Sequence, residues 1–248
     1  MDDLGVPVQI PETVSRIVSL VPSLTESVAA TLPGALVGAT DWCSHPAGLD
    51  VARVRGTKNP DLDAIRRLRP DVVLANAEEN RAPDIEALRE SGIAVWVTKI
   101  ETVAEAFASL ERMFALACRA EPPGWLAAAR EAWRAPYEGA RRTAIVPIWR
   151  RPWMVVGRDT FTGDVLRRLG VDNLYAGHSE RYPKIPLAEL TSRRPDLVVL
   201  PDEPYAFSAT DGPESFPGLT CAPVSGRLLT WYGPSLVHAP ETLRRALA

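Results

Sequence analysis

The sequence predicts an α/β fold of two lobes with mainly parallel sheets, joined by a long connecting α-helix, with a ligand cleft between the lobes. Three observations predict it. Short runs rich in Val, Ile and Leu recur along the chain, helical patterns separate most of these runs, and a block of the first half returns in the second. Strands that alternate with helices form parallel sheets with right-handed crossovers.

The apolar runs are too short for buried helices and are bounded by turn residues, so we predict that they are buried strands. They cover residues 17–21, 35–38, 72–75, 94–97, 144–148, 154–156, 197–200 and 228–229. Apolar positions with helical spacing predict helices over residues 23–30, 61–68, 82–91, 102–117, 162–169, 187–192 and 240–247.

Residues at the predicted helix ends support these assignments. Ser23 followed by Glu26 has the spacing of a capping box just after the first strand. Gly92 and Gly170 come just after predicted helix ends, where a left-handed residue is favoured. Pro60 stands at a predicted helix start, where its missing N–H costs little.

An internal repeat defines the predicted domains. The tripeptide Arg-Pro-Asp, which separates a helix from a strand at residues 69–71, recurs at 194–196, 125 positions later. Between the halves, residues 102–141 contain no strand candidate and have helical spacing of apolar side chains. We therefore predict a Rossmann-like N-terminal lobe over residues 1–101, a helical connector over 102–141 and a second such lobe over 142–248.

Composition excludes several classes of protein. The chain is 46% hydrophobic and 24% charged, which is typical of a globular protein and not of a disordered or fibrous one. A net charge of −3 without a basic cluster argues against nucleic acid as a partner. No segment is apolar for long enough to insert into a membrane.

The cysteines and the first residues bear on the compartment. Cys43, Cys118 and Cys221 are odd in number and far apart, which fits a reducing compartment better than a disulfide framework. The acidic start lacks the basic and apolar regions of a secretory signal. We therefore expect a cytoplasmic protein, or a periplasmic or extracellular one if this is a mature form whose signal has been removed.

The fold predicts where a ligand would bind. Ligands of parallel sheets lie beyond the carboxyl ends of the strands, so the segments that follow the predicted strands form the candidate site. The candidate ligand-binding residues there are Pro22, Ser23, Trp42, Cys43, His45, Lys58, Asn59, Glu78, Glu79, Asn80, Arg81, Trp149, Arg150, Trp153, Asp159, Arg181, Tyr182, Glu203, Tyr205, Trp231 and Tyr232. Their aromatic rings offer rigid apolar walls with polar tips, which suit a bulky ligand.

Each of these residues also has a structural interpretation. The aromatic side chains either line a ligand or fill the interior. Arg150 and Arg158 either bind a carboxylate or phosphate of the ligand, or are exposed charges. Cys43 and His45 are two positions apart, so they either face a metal together or are a buried thiol and a capping imidazole. We predict no catalytic residues and no metal site. Cys43 and His45 are the candidates for metal ligands, and a further ligand would have to come from Glu78, Glu79 or the other lobe.

Several segments resemble a known family. Residues 16–26 (Arg-Ile-Val-Ser-Leu-Val-Pro-Ser-Leu-Thr-Glu), residues 36–40 and the Arg-Pro-Asp-Val-Val strand entry at 69–73 are similar to the vitamin B12-binding and iron-siderophore-binding proteins of ABC importers. These are the helical-backbone, or class III, periplasmic binding proteins. Residues 78–81 (Glu-Glu-Asn-Arg) and 231–233 (Trp-Tyr-Gly) resemble a branch of relatives that lack signal peptides. The resemblance implies a rigid clamp of two lobes without catalysis.

Two departures concern a transporter partner. The resemblance implies an ABC permease whose arginines meet one acidic residue on each lobe. Asp63 matches the first of these acids, but the repeat places Ala188 at the second, with Glu189 one position later. The acidic start without a secretory signal is the other departure. Both count against delivery to a permease.

We therefore expect the chain to bind a small metal chelate, such as a corrinoid (cobalamin) or a siderophore-like molecule, as a ligand and not as an intrinsic cofactor. The alternative is a cytoplasmic enzyme that uses a metal, or Cys43 with His45, on a small molecule in the same cleft. No HExxH, GxSxG or Walker motif supports that alternative. A nucleotide-binding site is not expected, because the first strand-to-helix turn lacks glycine.

Overall fold

The computed structural model describes residues 1–248 and divides into two compact units. The N-terminal unit comprises Met1–Ile100, Ala104–Ala127 and Tyr232–Pro234. The C-terminal unit comprises Glu101–Val103, Ala128–Trp231 and Ser235–Ala248. The lobe and connector boundaries drawn from the sequence stay predictions.

The N-terminal unit is built on a parallel sheet. Its strands are β1 (Ile17–Ser19), β2 (Leu36–Ala39), β3 (Ala52–Arg53), β4 (Arg55–Gly56), β5 (Asn59–Pro60), β6 (Val72–Asn76) and β7 (Val95–Thr98). Five of them pair in parallel in the order β3-β2-β1-β6-β7, while β4 and β5 form a short antiparallel hairpin. The helices that alternate with these strands are α1 (Pro22–Thr31), α2 (Leu62–Leu68) and α3 (Ala82–Glu90). A core that includes Val18, Val73 and Val97 is fully buried beside this sheet.

A helical segment follows β7. It consists of α4 (Val103–Arg112), a π-helical turn (Met113–Ala117) and α5 (Gly124–Ala132). Phe114 is fully buried and meets Trp125 edge-on, with ring centroids 6.1 Å apart. Apolar side chains at helical spacing therefore produce helices here, as the sequence predicts.

The C-terminal unit contains a second parallel sheet. Its strands are β8 (Arg142–Ile145), β9 (Pro147–Trp149), β10 (Met154–Val155), β11 (Val171–Asn173), β12 (Leu197–Pro201) and β13 (Cys221–Val224). The parallel sheet has the order β11-β8-β12-β13, and β9 pairs with β10 as an antiparallel hairpin. The helices are α6 (Phe161–Arg168), α7 (Leu187–Ser192), α8 (Gly226–Thr230) and α9 (Ala239–Ala246), with 3-10 turns at Pro213–Ser215 and Pro234–Val237.

The predicted α/β fold with two parallel sheets is confirmed, and the repeat has a structural basis. Strands β6 and β12 start at Val72 and Leu197, and both are central in their sheets. The positions differ by the 125 residues that separate the two Arg-Pro-Asp tripeptides. Both tripeptides begin with an arginine in the left-handed region, at φ 45° for Arg69 and 47° for Arg194. The same turn therefore leads into each central strand.

Three local predictions were wrong. Residues 228–229, predicted as a strand, lie in α8, because two leucines are too short a run to distinguish a strand from a helix. Ser23 and Glu26 do not form a capping box, because α1 already begins at Pro22. Both residues lie within the helix, and both are buried. Pro60 belongs to β5, and α2 is capped instead by Asp61, whose carboxylate accepts the Ala64 N–H at 2.9 Å. By contrast, Gly92 and Gly170 have the predicted positive φ.

Candidate ligand-binding site

The carboxyl edge of the N-terminal sheet carries a buried network centred on Asn76, the last residue of β6. Its Oδ1 accepts hydrogen bonds from the backbone N–H groups of Glu78 at 2.8 Å and Glu79 at 3.2 Å. Its Nδ2 donates to the carbonyl oxygen and to Oγ1 of Thr98, both at 3.1 Å. The loop with the two glutamates is thus fixed to the ends of β6 and β7.

Asn80 secures the same loop from the other side. Its Oδ1 accepts the Asn76 N–H at 2.8 Å, and its Nδ2 donates to the carbonyl oxygens of Leu20 at 3.3 Å and Thr57 at 3.0 Å. Only 4% of Asn80 is exposed. Lys58 Nζ adds a 2.5 Å hydrogen bond to the Glu78 carbonyl oxygen. Asn80, which the sequence places among the ligand-binding residues, therefore positions the loop that we call the Glu78–Glu79 loop.

Tyr232 lies in the N-terminal unit with its ring buried. Burial raises the pKa of Tyr232 well above its usual value, the negative charges of Glu79 and Glu78 raise it further, and hydrogen bonding with Ser23 and Thr98 offsets part of the rise. The hydroxyl is therefore neutral at physiological pH and lies in the negative field of the Glu78–Glu79 loop. Pro22 and Ser23 are in the first turn of α1, so the sequence correctly groups them at this edge.

The loop after β2 contains an exposed indole and a buried thiol. Trp42 is 68% exposed, whereas Cys43 is fully buried. Cys43 Sγ accepts a hydrogen bond from Thr25 Oγ1 at 3.0 Å and contacts Thr40 Oγ1 at 3.1 Å. Burial raises the pKa of the Cys43 thiol, so it is protonated at neutral pH. It lacks the thiolate character that a nucleophile or a metal ligand requires.

His45 is half-buried, and its ring Nδ1 lies 3.1 Å from Ser44 Oγ. No group of three or more His, Cys, Asp or Glu side chains is placed to hold a metal ion. The burial and hydrogen bonds of Cys43 match its interpretation as a buried thiol. Asn59, Lys58 and Arg81 are exposed, and Arg81 Nε lies 3.3 Å from Asp84 Oδ2.

The hairpin β9–β10 of the C-terminal unit contributes to an aromatic cluster. Trp149 is 43% exposed and meets Tyr205 edge-on at 5.6 Å between ring centroids. Trp153 stacks nearly parallel on Phe207 at 6.1 Å and meets Phe216 edge-on at 5.2 Å. Trp153 and Tyr205 thus pack against buried rings, which agrees with the interpretation that such aromatic side chains fill the interior. Trp149 is more exposed than either of them.

Arg150 is held by the protein's own carboxylates. Its Nη1 bonds to Asp211 and lies 2.8 Å from Glu214 Oε1, and its guanidinium carbon is 5.2 Å from the centre of the Trp153 ring. Only 15% of its side chain is exposed. Burial lowers the pKa of Arg150, but the bonds and charges of Glu214 and Asp211 outweigh that effect and raise it overall. The Tyr205 hydroxyl donates to Asp211 Oδ2 at 2.7 Å and completes the cluster.

Two further predicted residues are paired within the C-terminal unit. Arg181 Nη1 donates to Glu101 Oε1 at 2.7 Å. Asp159 is exposed, has φ 48° and lies 3.4 Å from Arg158 Nε. Tyr182 is half-buried. Its neighbour Arg181 connects this segment to Gly157, because the Arg181 carbonyl oxygen accepts the Gly157 N–H at 2.7 Å.

Glu203 and Trp231 form the last part of the candidate site. Burial raises the pKa of Glu203, and a hydrogen bond from the Trp231 indole and the charge of Arg227 lower it in part. A Cβ on Gly226 would lie 2.3 Å from Glu203 Cγ, so a glycine is needed at this close approach. Trp231 is only 7% exposed.

The structure thus groups the predicted residues unit by unit. Pro22, Ser23, Glu78, Glu79, Asn80 and Tyr232 meet at one edge, and Trp149, Arg150, Trp153 and Tyr205 share the aromatic cluster. Sequence reasoning missed Glu101, Asp211 and Glu214, and it placed Asn76 and Thr98 in loops that follow strands without naming them as site residues. The position of Asn76 directly after an apolar run was a usable signal, whereas the acids that neutralise Arg150 are more than 60 residues away from it and gave none.

Comparison with known proteins identifies the family. A sequence model described as "Periplasmic binding protein" matches residues 17–215. The chain belongs to the periplasmic binding protein family. The prediction of a non-catalytic binding protein is confirmed by this membership. No helix has the length and apolar character needed to cross a membrane.

Individual relatives carry more specific descriptions. A vitamin B12-binding protein of Vibrio vulnificus is 26% identical over 180 residues, which are 69% of this chain and 64% of that protein, so the chain spans less than two thirds of its length. A periplasmic heme-binding protein of Pseudomonas aeruginosa is 22% identical, with a TM-score of 0.77 over 94% of this chain and 92% of that one. A Helicobacter pylori protein solved as a Ni–His complex is 15% identical, with a TM-score of 0.82 over 99% and 86%. These solved structures share the fold.

Proposed function

We propose that this periplasmic binding protein binds a small metal chelate of the corrinoid or siderophore type, as a ligand that it does not alter, with loops that follow the strands of its two sheets. The relatives support the class of ligand: their descriptions name vitamin B12, heme and a Ni–His complex, each of which pairs a metal with an organic molecule. The expected cytoplasmic location stays a prediction.

The exposure of Trp42 and Trp149 carries the proposal. Trp42, in the loop after β2, and Trp149, the last residue of β9, are 68% and 43% exposed, although such side chains are normally covered. Each offers a flat apolar face of the kind that stacks on a macrocycle or on the organic shell of a chelate. The other predicted tryptophans, Trp153 and Trp231, are already packed inside the C-terminal unit.

The class of ligand is tested by thermal unfolding with cyanocobalamin, hemin and a ferric hydroxamate siderophore. A ligand that binds only the folded state raises the melting temperature, by an amount that corresponds to about 2.7 kcal/mol at a hundredfold excess over Kd. We expect one class to do so and to quench tryptophan fluorescence. Unchanged melting curves with all three would refute the proposal.

We predict that Trp42→Ala and Trp149→Ala each weaken binding of that ligand by at least about tenfold, because truncating a buried tryptophan in a complex removes much of its contact energy. Isothermal titration gives the Kd of each variant. Leu116→Ala is the control, since Leu116 is also exposed, at 42%, but lies in the π-helical turn. If all three variants bound the ligand as tightly as the wild type, other residues would have to carry the binding.

Delivery to an ABC permease is the second part of the proposal, with Asp63 and Glu189 as the docking acids. Both lie in the first turn of corresponding helices, α2 and α7. Asp63 is 76% exposed and pairs with Arg66, while Glu189 is 44% exposed and lies 3.5 Å from Arg193. Their places in the first turns of corresponding helices, one position out of step in the repeat, support a common docking role. Co-purification of a membrane permease with the wild type and not with an Asp63→Ala/Glu189→Ala variant would test it.

A further inference from the structure

Trp42 projects from a tight turn whose backbone is fixed on both sides. The Cys43 N–H donates to the Thr40 carbonyl oxygen at 3.1 Å, which closes the turn around Asp41 and Trp42. The Asp41 N–H donates to the Arg55 carbonyl oxygen at 2.8 Å. Cys43 is fully buried, whereas Trp42 is 68% exposed. The exposed indole is therefore attached to a backbone that is tied to the rest of the N-terminal unit.

Arg53, in the edge strand β3, binds the same turn through its side chain. Its Nη1 donates to the carbonyl oxygens of Thr40 at 2.9 Å and Cys43 at 3.0 Å, the first and last residues of the turn. Its Nη2 donates to the Leu49 carbonyl oxygen at 3.2 Å, farther along the same loop. One planar guanidinium thus joins three carbonyl groups of the loop between β2 and β3. A lysine would not reproduce this fork, because its ammonium is a single donor centre.

Gly56 gives the indole the room that it occupies. A Cβ on Gly56 would lie 3.3 Å from Nε1 of Trp42 and 2.5 Å from Oδ1 of Asn59, its partner in the hairpin β4–β5. A larger residue would therefore press on the indole and on the Asn59 side chain together. The backbone of Trp42 is thus fixed by Arg53, and its ring lies against Gly56.

We propose that Arg53 is a positioning residue for ligand binding: it fixes the turn Thr40–Cys43, so that the Trp42 indole already has the orientation in which it contacts the ligand. Gly56 supports that orientation by leaving space for the ring. The role of Arg53 rests on the proposed function, in which Trp42 contacts the ligand. Ordering a mobile side chain on binding costs affinity, so a ring that is already fixed binds more tightly. All of these residues belong to the N-terminal unit.

The position of the indole is measured without any ligand. The seven tryptophans, labelled as 5-fluorotryptophan, give seven fluorine NMR signals, and the one that disappears in Trp42→Phe belongs to Trp42. We expect Arg53→Ala and Arg53→Lys to broaden or move that signal and to leave the other six unchanged. Gly56→Ala should also move it, because the added methyl group meets the ring. Arg67→Ala is the control, since Arg67 is exposed in α2 of the same unit, and it should leave all seven signals unchanged.

The effect on binding is measured by isothermal titration with whichever of cyanocobalamin, hemin and the ferric hydroxamate siderophore raises the melting temperature. We expect Arg53→Ala to raise Kd about three- to tenfold, the cost of ordering one side chain on binding. In a Trp42→Ala background the same substitution should raise Kd by less than about twofold, because no indole is left to position. A residue that merely stabilises the fold would weaken binding equally in both backgrounds.

An unchanged Trp42 signal in Arg53→Ala, or an equal loss of affinity with and without the indole, would overturn the proposal and leave the proposed function intact. Changes in all seven signals would also contradict it, because Arg53 would then stabilise the fold as a whole. If none of the three ligands binds, the proposed function fails, and the role of Arg53 in binding fails with it. The fluorine signals would still show whether Arg53 fixes the ring.

Discussion

At the scale of single residues, aspartates organise the strand entries of both units. Asp71 Oδ2 accepts the backbone N–H groups of Ser15 and Arg16, both at 2.8 Å, just before β1. Asp196 Oδ2 accepts the N–H and the hydroxyl of Thr143 in β8, both at 2.7 Å. These bonds lower the pKa of Asp196, first through the Thr143 N–H and then through its hydroxyl. The repeated Arg-Pro-Asp tripeptide thus joins each central strand to its neighbour.

Asp164 has a similar role at the start of α4. Its Oδ2 accepts the Val103 N–H at 2.9 Å and Arg168 Nε at 2.8 Å, and its Oδ1 accepts Arg167 Nη2 at 2.5 Å. Burial alone would raise the pKa of Asp164, but the bonds from Arg168, Val103 and Arg167 outweigh it and hold the pKa below its usual value. The carboxylate therefore satisfies a helix N-terminus that would otherwise have an unpaired buried amide.

We predict that Asp164→Asn lowers the free energy of unfolding by about 1–3 kcal/mol at pH 7, because a charged acceptor of three hydrogen bonds is lost. A folded-state pKa below the unfolded value makes this stabilisation fully present above the unfolded pKa of about 3.9. It is lost as the pH falls through the lower, folded-state pKa. Urea unfolding of wild type and variant at pH 7 and pH 3 should show the difference shrinking at pH 3.

Asp50→Asn is the control for that comparison, because Asp50 is exposed in the other unit. It should cost little stability at either pH. A stability difference for Asp164→Asn that stayed constant from pH 7 to pH 3 would contradict the assigned role of the charge.

At the scale of elements, the parallel strands and their carboxyl-end loops explain why Asn76 matters. It ends β6, is 2% exposed and makes hydrogen bonds to the Glu78 and Glu79 N–H groups and to Thr98. We predict that Asn76→Ala destabilises the N-terminal unit by about 2–4 kcal/mol, since several buried polar groups lose their partner. Urea unfolding measures this loss, and hydrogen exchange should show faster exchange at the Glu78 and Glu79 amides.

Asn59→Ala provides the matched control, because Asn59 is an exposed asparagine of the same unit, in β5. Its effect should be within about 0.5 kcal/mol. Unchanged exchange at Glu78 and Glu79 in the Asn76→Ala protein would show that the loop is held by other contacts.

The elements differ in how far the sequence could predict them. The interior strands β1, β6, β8 and β12 and the edge strand β7 were predictable, because strands buried on both faces have continuous apolar runs. The edge strand β13 was not, because Pro223 is tolerated there only for lack of a second neighbour. In the candidate site, sequence placed Trp42 and Glu78 after strands but could not show that Arg150 binds Asp211, since that pairing depends on tertiary structure.

At the scale of the whole molecule, the chain does not follow a simple order of two consecutive units. Tyr232–Pro234 belongs to the N-terminal unit, although most residues around it in the sequence belong to the C-terminal unit. Gly233 is the point of closest packing: a Cβ there would lie 2.9 Å from Ser27 Oγ and 3.1 Å from the Ser23 carbonyl oxygen. This contact adds a late segment of the chain to α1, which carries part of the candidate site.

We predict that Gly233→Val destabilises the N-terminal unit by about 1–3 kcal/mol, the usual cost of overpacking. Both atoms that its Cβ would meet belong to α1, and the Ser23 carbonyl oxygen is backbone that cannot rotate away. Hydrogen exchange should accelerate in α1 and leave the amides of β12 and β13 unchanged. Gly34→Ala is the control, since its Cβ would meet nothing within 4 Å. Acceleration spread evenly over both sheets would instead show that Gly233 stabilises the whole chain as a single cooperative unit.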